Sequence, residues 1–168
     1  MKGVEEQIAG LEVVLAAEEN VYLRLRDVLR REEAELITLD PVQIEDIVER
    51  KRGLAEEARL LEDSRRVLTK ALAGSLGLGD QPVKLGSLIT ALDAEARRLP
   101  ELHARLSALI TSTRSLLESN GSFADRSLRH IQETLRMLGR AVPEKIGYGP
   151  NSVGNGSMGR GRLVRATI

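Results

Sequence analysis

Four charged residues interrupt otherwise apolar series, and two histidines stand among helix-forming residues; these are the side chains whose placement could do chemistry. Glu18 and Glu32 fall within Val4, Ile8, Leu11, Leu15, Tyr22, Leu25, Leu29, Leu36 and Leu39. Lys51 and Arg65 fall within Ile44, Ile47, Leu54, Ala58, Leu61, Leu68 and Leu72. A charge drawn into an apolar face needs a partner of opposite sign, because desolvating it alone is costly. Histidine with carboxylates suggests metal instead, but a di-metal centre in a helical bundle requires Glu-x-x-His on two helices. Neither His103 nor His130 has a Glu three residues before it, and His130-x-x-Glu133 reads as a surface pair. Gly74-x-x-Gly77-x-Gly79 lacks the preceding strand and following Gly-Lys-Ser/Thr of a phosphate loop. No cysteine and no Gly-x-Ser-x-Gly elbow is present, so thiolate chemistry, Cys-ligated zinc and a serine hydrolase lose their support. No enzyme activity, metal or cofactor is expected.

The four charges are informative about register. Facing residues of an antiparallel helical hairpin have position numbers that add to a constant. Leu39 with Ile44, Leu36 with Ile47, Leu29 with Leu54, Leu25 with Ala58, Leu15 with Leu68 and Leu11 with Leu72 share one such sum. Glu32 with Lys51 and Glu18 with Arg65 share it too, so each acid is predicted to meet a base. Such pairs add little net stability but penalise a slipped register, in which Glu32 and Lys51 would face leucines. The alternative is that all four long side chains snorkel to water.

The elements that must position these residues are helices. The chain has 42% hydrophobic but only 2% aromatic residues, with no Trp, which disfavours a base-stacking groove or a deep small-molecule pocket. The periodicity predicts helices over about 4–39, 41–73, 84–98 and 101–139. The first would be about 50 Å long, and Val14, Val21 and Val28 widen its buried face enough for a second neighbour. Asp40-Pro41-Val42-Gln43 supplies an N-cap, a proline in the first turn and a residue able to close a capping box. Gly74, Gly77, Gly79 and Pro82 end the second helix. In the third segment Leu85, Leu88, Ile89 and Leu92 share a face. Pro100 either kinks the chain or breaks it, and a break there is the preferred reading.

The last stripe, Leu102, Leu106, Leu109, Ile110, Thr113, Leu117, Gly121, Ala124, Leu128, Ile131, Leu135 and Leu138, keeps its phase through Asn120-Gly121. This favours one long helix with Gly121 on the buried line, permitting close backbone approach; an Asn-Gly turn is the alternative. The expected fold is all-α: an elongated antiparallel hairpin, a short helix and a third long helix in a three-helix, coiled-coil-like bundle over 1–139. A flexible, disordered Gly/Arg-rich tail over 140–168 would follow, with Ile146-Gly-Tyr148 and Leu163-Val164 as candidate docking islands.

That tail carries Arg140, Lys145, Arg160, Arg162 and Arg165 against Glu144 alone, and because the whole chain is neutral the body is acidic by the difference. Dispersed cations in a tail give little support for nucleic-acid binding, which would show as salt-sensitive heparin retention lost on cutting after Leu138. The N-terminal residues lack a signal-peptide core, and no run of about 18 apolar residues exists for membrane insertion. A cytoplasmic protein is expected.

Glu32 late in the first helix, Lys51 early in the second, Asn120-Gly121 in the last helix and Tyr148-Gly149 before a glycine-rich end together resemble the FlgN family of flagellar export chaperones. The likeness covers nearly the whole chain. It implies a non-enzymatic cytosolic chaperone of the flagellar type III export system that binds the hook–filament junction proteins FlgK and FlgL. It further implies client contacts by the last helix, at Asn120, Ala124, Leu128, Ile131, Leu135 and Leu138, and contact of Tyr148 with the export gate protein FlhA. The Arg-Gly residues beyond Tyr148 match no family function. A different class of function, a structural coiled-coil or dimerisation module, would bury the same surplus face against a second copy, and the client-free chain could itself be a homo-oligomer.

Overall fold

The computed structural model describes residues 2–38, 40–78 and 83–141. Leu39, the 79–82 connection and everything from 142 onward, Tyr148 and both docking islands included, lie outside the described residues. The described chain is all-α, with helices α1 Lys2–Thr38, α2 Pro41–Ser75, α3 Leu85–Leu92 and α4 Leu99–Ala141, and no strand among the described residues. It divides into two compact units, Met1–Ile131 and Gln132–Ile168; the described part of the second is the end of α4.

The turn between α1 and α2 is built from Asp40, whose Oδ1 accepts from the Val42 N–H at 3.0 Å while its carbonyl accepts from Ile44 at 3.1 Å. Pro41 opens α2, where its missing N–H costs nothing. Gln43 does not look back to Asp40 but accepts from the Arg31 guanidinium. At the other end of α2, Gly77 adopts φ +69°. Its N–H donates to Gly74 O and the Leu78 N–H to Ala73 O, the paired bonds of a Schellman cap.

Antiparallel packing of α1 on α2 is marked by contacts whose numbers run in opposite directions: Arg31–Asp46, Arg24–Glu57 and Glu18–Arg65. On α1, contacts to α4 rise together instead, from Glu19 with Arg105 to Glu32 with Asn120, so α4 runs parallel to α1. Leu11, Leu15, Leu72, Leu88 and Leu99 are fully buried in one cluster drawn from all four helices. Each such leucine contributes about 1.5–3 kcal/mol of burial, which is why the short α3 is held. Val21, on the widened face of α1, is also buried.

Two sequence expectations fail here for identifiable reasons. The segment 84–98 is not one helix. It is α3, then a 3₁₀ turn over Asp93–Ala96, bounded by positive φ at Asp93 (47°) and Arg97 (49°). The break thus precedes Pro100, which sits in the first turn of α4, and α4 starts at Leu99 because that side chain belongs to the core. Nor does Gly121 lie on a buried line. Helix α4 is continuous through Asn120-Gly121, but a Cβ on Gly121 would meet nothing within 4 Å. The buried line runs Leu102, Leu106, Leu109, Thr113 and Asn120, one residue out of phase with Leu117 and Gly121.

Candidate functional site

Two polar layers cross the hydrophobic interior. In the first, Arg65 Nε donates to Oε1 and Oε2 of Glu18, both at 3.0 Å, with the Glu18 carboxylate almost fully enclosed. Burial pushes the Glu18 carboxyl above its ordinary 4.5, and the hydrogen bond and charge of Arg65 offset only part of that push. Burial also pushes the neighbouring Tyr22 phenol up, helped by the Glu62 and Glu18 carboxylates. In the second layer, Lys51 Nζ contacts Glu32 Oε1, while Asn120 Nδ2 donates to Glu32 Oε2 at 3.0 Å and to Leu29 O at 2.8 Å. One carboxylate therefore ties α1 to α2 and to α4. Asn120 is only 4% exposed, so it serves the interior and presents nothing to a partner.

Past Asn120 the helix changes character. Ala124 is half-buried, and Leu128 (55%) and Ile131 are exposed at the end of the first unit. In the second unit, Leu135 (62%) and Leu138 are exposed as well. In the sequence the four are separated by three, four and three residues, the spacing of one face of a helix. Phe123 and Met137 are also exposed, an apolar content that a count of leucines alone did not anticipate. Isolated exposed leucines are ordinary, but several at helical spacing offer a face for another amphipathic helix.

His103 is half-buried between α4 and Gly86 of α3, and His130 is on the exposed part of α4. Among the described residues no group of three or more His, Asp or Glu is placed to hold a metal, and no helix is long and apolar enough to cross a membrane.

A family model described as FlgN protein matches residues 1–153. The chain belongs to the FlgN family. Membership makes it a protein of flagellum assembly, in a family of export chaperones, and the matched segment reaches past α4 to include Tyr148. No curated protein and no solved structure is significantly similar to the chain.

Proposed function

We propose that this FlgN-family chain is a cytosolic chaperone that holds the hook–filament junction proteins FlgK and FlgL before export. The client face is the part of α4 after Asn120, with Ala124, Leu128, Ile131, Leu135 and Leu138 as contacts, and the buried Asn120 marks where it begins. Tyr148 is the contact to the export gate protein FlhA. The observation that carries this reading is exposure: Leu128 and Ile131 of the first unit and Leu135 and Leu138 of the second are all open to solvent, at a sequence spacing suited to an amphipathic client helix.

Co-expression of the full chain with FlgK and FlgL, followed by affinity capture, tests it. The wild-type chain retains at least one of the two, and the paired substitution Leu128→Ser with Leu135→Ser abolishes retention. Both sites are exposed, so each substitution changes folding stability by no more than about 0.5 kcal/mol. Tyr148→Ala leaves client capture intact and removes binding to FlhA. Capture of neither junction protein overturns the assignment. A dimer by light scattering that persists on adding FlgK or FlgL assigns the face to self-association instead.

A further inference from the structure

Residues of α2, the start of α3 and His103 of α4 line a groove of about 1270 Å³. Its lining includes Arg66, Lys70, Lys84 and His103, and no carboxylate among the described residues. Arg66 is held by Glu62 of its own helix. Lys70 and Lys84, by contrast, have no ion-pair partner among the described residues. The first residues of α3, Leu85, Gly86 and Ser87, also line the groove, and Lys84 provides no side-chain cap to their N–H groups. A helix start of this kind favours negative charge. Thr69, buried in the same wall, has an Oγ1 without a hydrogen-bond partner among the described residues. Ala73, Val83 and Leu85 supply an apolar surface between these polar groups.

We propose that this groove is a second interaction site, which takes an acidic, leucine-bearing peptide segment of a partner protein. The choice of occupant follows from size and sign. The volume exceeds the ~300–1,000 Å³ of ordinary small-molecule sites, which points to a chain segment and away from a metabolite or a single ion. The cations Lys70 and Lys84, unpaired among the described residues, favour carboxylates, and the apolar wall favours a peptide that carries aliphatic side chains between them. The lining includes no residue of α4 after His103, so it shares no side chain with the exposed residues after Asn120.

Fluorescence polarisation of the full chain tests the site. The probe is a labelled peptide with glutamates and leucines at helical spacing; its lysine-for-glutamate counterpart, inorganic phosphate and a single-stranded RNA oligonucleotide serve as comparisons. The acidic peptide binds saturably, and Lys70→Glu with Lys84→Glu weakens it about tenfold. Leu128→Ser with Leu135→Ser leaves it unchanged, and the basic counterpart does not bind. Amide shifts in the wild-type chain, which need no variant to fold, concentrate at Lys70–Gly74 and Lys84–Ser87. Absence of saturable binding, indifference to the double charge reversal, or shifts confined to α4 after Asn120 overturns the proposal. Displacement by phosphate or RNA makes the groove a general anion surface and overturns the peptide.

Discussion

Glu32 uses its two oxygens for two different helices, Oε1 for Lys51 of α2 and Oε2 for Asn120 of α4. Lys51→Glu turns one of these contacts into repulsion and is expected to destabilise the fold by about 2–3 kcal/mol. That is less than the ~3–5 kcal/mol of a fully buried pair, because the ammonium is partly solvated. Reversing both, Glu32→Lys with Lys51→Glu, restores the pair but not Asn120. Its amide must turn its oxygen toward the new ammonium and release Leu29 O, so about 1 kcal/mol remains lost. Urea unfolding of the three variants measures this, and strictly additive losses would remove the pairing. Glu18 makes a pH-dependent counterpart. Its folded pKa is raised, so the folded state holds the proton over more of the pH range than the unfolded chain does. Its contribution is most favourable below the ordinary carboxylate value of 4.5 and declines as pH rises through the raised one. Wild type should lose stability relative to Glu18→Gln across that interval; a pH-independent difference between the two would contradict it.

Among the elements, glycines separate what sequence can specify from what it cannot. Gly77 takes φ +69° at the end of α2, and Gly77→Ala should cost about 1 kcal/mol because a Cβ is disfavoured there. Gly121 is mid-helix with open space around it, so Gly121→Ala should stabilise by about 1 kcal/mol through helix propensity alone. Thermal unfolding distinguishes the two by sign. The terminator at Gly77 was legible because a glycine after an apolar series has a local meaning. Gly121 was misplaced on the inner face because the apolar pattern favours Leu117 and Gly121. The structure instead buries Asn120, whose amide is satisfied by Glu32 and Leu29. A polar residue on the inner line carries no hydropathy signal; only its partner on another helix explains it. The chain reversal before α4 was invisible for a related reason: its positive-φ residues are Asp93 and Arg97, neither a glycine.

At the scale of the whole molecule, apolar side chains have two uses, and hydropathy alone does not distinguish them. The hairpin register was legible because both of its faces repeat at helical spacing and their charges match in sign. For α4, Leu106 and Leu128 look alike in sequence, yet one is buried in the core and the other is half exposed. The basic groove was illegible altogether, since Lys70 lies on α2, Lys84 just before α3 and His103 on α4. This unequal burial predicts unequal local stability along a single helix. Amides from about Leu102 to Asn120 lie under a buried side-chain line and should exchange only through large-scale opening. Those from Leu128 to Leu138, whose apolar side chains face solvent, should open locally at much lower free energy. Peptide-resolved hydrogen exchange on the full chain should show protection falling after Asn120, and addition of a bound client should raise it from Leu128 to Leu138 alone. Uniform protection along α4 in the free chain would mean that another contact already covers this face, leaving none of it for a client.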